Sequence, residues 1–123
     1  MTDSISKLEQ IINIKFKDQN LLKKSLVHKS HDSELNNEKL EFLGDRVLGL
    51  VLAKKLLKIY PDDKEGIIDK KFSNLVNKKT CLIIARKLEL SNFIITSGSY
   101  KGSSRADDKI ISDGLEALLG AIF

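Results

Sequence analysis

One cysteine and one proline in 123 residues already narrow the field. A single Cys81 rules out an internal disulfide and leaves no room for a cysteine-rich zinc site. It also makes a reducing, cytoplasmic setting the expectation. No apolar run approaches the length of a bilayer span, so no membrane partner is expected. The N-terminal MTDSISKLEQ lacks the basic head and apolar stretch of a signal peptide. Repeats and low-complexity tracts are absent. There is no phosphate-binding glycine loop, because SGSYKGSS lacks the strand–loop–helix setting such loops need. No organic cofactor is therefore implied.

What is present reads as one soluble all-α domain spanning 1–123. The sequence is 41% hydrophobic and 31% charged, with 21 basic against 17 acidic residues and a net charge of +4. Apolar residues recur at three- and four-residue spacing, which predicts helices. The expected helices run from about Ser4 to Asn13, from near Asp18 as N-cap through Val27, and from Glu38 to Tyr60, stopped by Pro61. Two more are expected over Glu65–Val76 and Lys78–Leu88, broken at Asn77. A last helix is expected from near Ile110 to Phe123, after the loop TSGSYKGSSRADD. Phe123 closes the sequence on an apolar residue without a capping glycine or polar tail, the pattern of a piece truncated at its C-terminal end.

Two of these helices carry acids where apolar residues belong. The stretch Leu43–Leu57 is apolar almost all round, which predicts a helix in the middle of the domain. Yet Glu38, Glu41 and Asp45 share one stripe on it, within about 60° at 100° per residue. Gly44 and Gly49 beside the stripe leave room for another backbone or a ligand. The last helix has an apolar face of Ile111, Leu115, Leu118, Leu119 and Ile122. Its other face carries Asp113 and Glu116 among Ala117, Gly120 and Ala121. No basic residue occurs from Ile110 to Phe123, so these carboxylates look partly buried and locally unpaired.

Burying such acids is costly, and gathering them is worse. Protonation or pairing with distant Lys or Arg relieves the cost, and so does a coordinated cation. An all-oxygen donor set without His or Cys favours Mg²⁺ or Mn²⁺ over zinc. The plainer alternative is that acids at this spacing sit on a solvated face. For Glu38, at a helix start, dipole complementarity suffices. His28 and His31 stand apart from both stripes and read as structural. Cys81 reads as a small buried residue.

The string NEKLEFLGDRVLGL, Asn37 to Leu50, resembles the signature of the ribonuclease III family, whose core is Glu-x-x-Glu-Phe-Leu-Gly-Asp. LVHKS (Leu26–Ser30), DDKEG (Asp62–Gly66) and SDGLEALLGAIF (Ser112–Phe123) resemble further family segments in the family's order. The resemblance covers about Leu8 to Phe123. It implies the helical endonuclease-domain fold of bacterial members, without their double-stranded-RNA-binding domain. It further implies that Glu41, Asp45, Asp113 and Glu116 are metal ligands, with Asp45 and Glu116 catalytic, and that the ion is Mg²⁺, with Mn²⁺ able to substitute. Glu38 and Glu65 match further acids of a catalytic valley, and Phe42 matches an aromatic at a homodimer interface.

The implied reaction is two-metal hydrolysis of double-stranded RNA. It leaves 5′-phosphate and 3′-hydroxyl ends with a short 3′ overhang, in processing of rRNA precursors, mRNA and tRNA. The rival is a non-catalytic, dimerising RNA-binding relative. Arg46 departs from the family's usual Ser or Ala and sets a cation beside Asp45. With six of the 17 acids in the valley, 11 remain against 21 basic residues elsewhere. Lys70, Lys71, Lys78, Lys79 and Arg105 are the candidate RNA contacts.

Overall fold

The computed structural model describes residues 2–97 and 105–123. Six α-helices follow one another: α1 Thr2–Ile12, α2 Gln19–Ser25, α3 Glu38–Ile59, α4 Glu65–Leu75, α5 Lys78–Lys87 and α6 Arg105–Ile122. A 3₁₀ turn, Leu90–Asn92, precedes α6. Among the described residues the only β pairing is an isolated parallel bridge between Val27 and Ile95.

Capping explains the boundaries. Asp18 accepts from the amides of Asn20 (3.0 Å) and Leu21 (3.3 Å), so α2 starts where the sequence places its N-cap. Asn77 accepts from the Thr80 amide at 2.8 Å, and its Nδ2 donates back to the carbonyls of Ser73 and Asn74. One side chain thereby ends α4 and starts α5. The last helix begins five residues before the expected Ile110. Asp107 and Asp108 lie in its first turn, where carboxylates complement the helix dipole.

The middle of the domain belongs to α6, not to α3. From Ile111 to Leu118 every residue of α6 is buried. Its apolar side chains join Leu8, Leu22, Leu26, Cys81, Ala85 and Leu90 in one core. Only Gly44 and Leu56 of α3 are buried, while Phe42, Leu50, Val51 and Leu57 are more than half exposed. The expectation of a central α3 fails because its apolar girdle exceeds what α6 and α4 cover. Cys81 is buried, as its sequence setting implies.

The crossing of α3 over α6 is built on bare backbone. A Cβ on Gly44 would lie 1.6 Å from the Glu116 carbonyl oxygen, and one on Gly120 would lie 2.2 Å from the Leu40 carbonyl oxygen. Only two glycines let the helices meet this closely. Gly49, by contrast, faces the Phe72 ring at an ordinary 3.5 Å.

Candidate active site

The same crossing brings the two acid stripes together. Glu38, Glu41 and Asp45 from α3 line one open pocket with Glu116 from α6, together with Phe42, Arg46 and Lys78. Asp113 lies one helical turn before Glu116, and both are buried. The start of α3 is fixed from below. Asn37 Nδ2 donates to the Ser25 carbonyl at 3.1 Å, and Asn36 Oδ1 accepts from the Glu38 amide at 3.1 Å. These two buried asparagines position the acids, and the sequence offered no sign of that beyond a polar stretch before α3.

The acids are not locally unpaired. Lys78, the first residue of α5, places its ammonium 2.6 Å from Asp113 Oδ1 and also donates to Glu116 Oε1. Lys109 takes the other Asp113 oxygen at 2.6 Å. Arg46 donates to Asp45 Oδ2 at 2.5 Å and covers the Phe42 ring, its guanidinium carbon 4.6 Å from the centroid.

Electrostatics follow from this placement. Burial raises the Glu41 carboxyl to about 7, reinforced by the charge of Asp113. Burial also raises Glu116, and the facing Asp45 carboxylate adds to it, against the pull of Lys78. Burial opposes ionisation of Asp113 as well, but its hydrogen bonds from Lys109 and Lys78 prevail and hold it below the ordinary range. Lys78 loses solvation on burial, yet its bonds to Asp113 and Glu116 raise it above an ordinary lysine.

A test follows from Glu41. Its folded pKa, about 7, lies above its ordinary 4.5, so proton binding favours the fold. That contribution is full below about pH 4.5 and is lost as pH rises through about 7. Glu41→Gln therefore raises the melting temperature of the metal-free protein at pH 8 and leaves it little changed at pH 4.5. A variant melting lower than the parent at pH 8 would refute this.

The donor set suits a hard divalent cation. Its carboxylates are close-set and partly desolvated, and no His or Cys lines the pocket. Among the described residues, no three such side chains already stand as a ready ligand set. The ammonium of Lys78 sits between Asp113 and Glu116.

The remaining expected residues fall elsewhere. Glu65 is exposed at the start of α4, outside the pocket. It follows the C-terminal end of α3, and Asp45 to Ile59 alone spans about 20 Å at 1.5 Å per residue. Lys71 donates to Asp63 at 2.5 Å and lies over the Tyr60 ring. Lys78 belongs to the acids rather than to an open basic surface. Lys70 and Lys79 are exposed. The Arg105 side chain lies outside the described residues. His28 Nδ1 bonds Ser30 Oγ at 2.8 Å and accepts from the Ser30 amide, and its ring lies within electrostatic reach of Asp113 and Glu38.

Comparison with known proteins decides the family, because the Ribonuclease-III-like family model matches residues 18–123. The chain belongs to the ribonuclease-III-like family. Ribonuclease 3 of Pelagibacter ubique is 58% identical over 117 residues, covering 95% of this chain and 53% of that protein. Ribonuclease 3 of Campylobacter fetus is 40% identical over 122 residues, covering 98% and 55%. The chain thus spans about half the length of the curated relatives it matches.

Among solved structures, a nuclease domain of ribonuclease III from Campylobacter jejuni superposes with a TM-score of 0.88 at 44% identity. It covers 96% of this chain and 83% of that one, and it is described for structural flexibility in the region involved in dimer formation. A second structure of that nuclease domain gives 0.85 at 43% identity, covering 95% and 80%. The all-α fold is therefore the nuclease-domain fold of this family.

Proposed function

We propose that this protein is a divalent-metal endoribonuclease that hydrolyses double-stranded RNA. The observation that carries the reading is the convergence of Asp45 and Glu116. They come from distant parts of the sequence and face one another across a helix crossing that two glycines make possible. Like charges gathered in a half-buried pocket attract cations, both the protein's own Arg46, Lys78 and Lys109 and, in this reading, a divalent ion that the all-oxygen donor set suits.

In this reading Glu41, Asp45, Asp113 and Glu116 hold Mg²⁺, with Mn²⁺ as a substitute. The bound ions supply Lewis-acid chemistry, activating water and stabilising the departing 3′ oxygen. The chain's own residues do the rest. The α3/α6 crossing fixes the carboxylates in register, and burial strips Asp113 and Glu116 of water. Asn36 and Asn37 hold the start of α3 in place. Lys70 and Lys79 stand exposed to meet phosphates, which report A-form shape rather than sequence. The products carry 5′-phosphates and 3′-hydroxyls with a short 3′ overhang. The biological targets are rRNA precursors, with mRNA and tRNA, in the cytoplasm. Residues 1–123 then form the catalytic domain.

The working unit is a homodimer, a reading supported by Phe42, which is 63% exposed beside the exposed Leu43. Glu65, remote from the pocket of its own chain, joins a catalytic valley when the second copy delivers it. Phe42→Ala shifts the sedimentation profile toward monomer, with dimer affinity falling at least about tenfold as expected for a central aromatic anchor. An unchanged dimer would remove Phe42 from the interface.

The deciding experiment is incubation of the protein with perfect duplex RNA and Mg²⁺, with a parallel reaction in chelator. Short duplex products that disappear in chelator are expected. Intact RNA in both reactions would instead favour a non-catalytic, RNA-binding member of the family.

A further inference from the structure

The pocket already contains a cation of its own, and its placement has a consequence for metal binding. Asp45, Asp113 and Glu116 each carry a protein cation: Arg46 on Asp45, Lys109 and Lys78 on Asp113, and Lys78 on Glu116. Three cations therefore face five carboxylates once Glu38 and Glu41, which line the same pocket, are counted. With every acid ionised, two negative charges stay uncompensated.

Lys78 differs from the other two cations. It alone bridges two acids, and both are the buried acids of α6, whose side chains are 10% and 4% exposed. Its own side chain is 56% exposed, so it has an open path out to solvent. An ammonium within hydrogen-bond distance of both carboxylates uses the lone pairs a divalent ion needs. It also repels any second cation brought within a few ångströms. Ammonium and metal compete for Asp113 and Glu116.

We propose that Lys78 is a built-in counter-cation that holds Asp113 and Glu116 together in the metal-free protein and must be displaced for a divalent ion to bind there. This rests on the reading of the pocket as a metal site and adds the competition that regulates its filling. Lys78 is a positioning residue in this scheme. Its charge stabilises the empty acid pair at the expense of metal affinity. Lys109 lies mostly in solvent and holds only Asp113, so it leaves Glu116 free.

The test needs no RNA. Mn²⁺ binding to the full chain is measured by the electron paramagnetic resonance signal of free Mn²⁺, alongside the melting temperature without metal. Lys78→Met is expected to melt lower without metal yet bind Mn²⁺ more tightly, on the order of tenfold. Lys78→Arg keeps the charge and is expected to stay near the parent in both. A lysine serving only the fold would lower both stability and affinity in Lys78→Met, and that result would overturn the proposal.

A second measurement uses the unaltered protein, so it stands even if Lys78→Met does not fold. The ¹⁵N signal of the Lys78 ammonium is followed while Mg²⁺ is added. Loss of the hydrogen-bonded signal as the metal binds supports displacement. Metal binding with that signal unchanged overturns the proposal and leaves the metal site standing. Absence of Mn²⁺ binding to parent and variants alike overturns both.

Discussion

Glu116→Gln is expected to abolish cleavage of duplex RNA, lowering the single-turnover rate by at least about a thousandfold. The substitution keeps the shape of the side chain and removes only its charge. Glu116 is 3% exposed and faces Asp45 from the α6 side of the pocket. The other carboxylates that line the pocket, Glu38, Glu41 and Asp45, all approach from α3, so none of them replaces Glu116 on the α6 side. Folding should not suffer. Burial and Asp45 already push the Glu116 carboxyl toward its neutral form, so a neutral amide relieves repulsion instead of creating it. The melting temperature without metal is therefore expected at or above that of the parent. Asp45→Asn should behave alike. A circular dichroism melt and a gel assay under single-turnover conditions check both halves. Cleavage near the parent rate by a folded Glu116→Gln protein would remove this residue from the chemistry, and with it the proposed ligand set.

The clustering acids were legible because acids at helical spacing conflict with their apolar surroundings, and such conflicts mark candidate sites. Helix boundaries were legible where a single side chain makes them, as at Asp18 and Asn77. Three features were hidden for physical reasons. The exposure of α3 depends on how much partner surface covers it, and periodicity does not carry that information. The cations on the acids escaped notice differently. Lys109 stands one residue before the stretch that lacks bases, at i−4 from Asp113, so it was within reach of a wider window. Lys78 reaches α6 from another helix, and no local pattern announces that. The early start of α6 was obscured by the Ser- and Gly-rich run before it, although Asp107 and Asp108 are the residues a helix start favours.

The glycine crossing makes the second large prediction. Gly44→Ala is expected to cost upward of about 3 kcal/mol of stability, enough to leave much of so small a domain unfolded. Intrinsic propensity points the other way, since Ala favours a helix over Gly by about 1 kcal/mol. Sterics decide the sign. The new methyl would meet the Glu116 carbonyl oxygen at 1.6 Å and the Gly120 amide nitrogen at 2.9 Å, which are backbone atoms of the central helix with nowhere to go. Relief requires α3 to lift off α6, which would pull Asp45 away from Glu116. Activity should therefore fall even in whatever fraction stays folded. Gly120→Ala should act alike, because its methyl would lie 2.2 Å from the Leu40 carbonyl oxygen. Gly66→Ala is the control. It lies in α4 with nothing within 4 Å of its would-be Cβ, so propensity alone governs and the change should be neutral or mildly stabilising. Urea titrations of the three variants separate the effects. A Gly44→Ala protein as stable as Gly66→Ala would show that α3 and α6 do not touch through their backbones, and the carboxylates they carry would then lack the scaffold that brings them together.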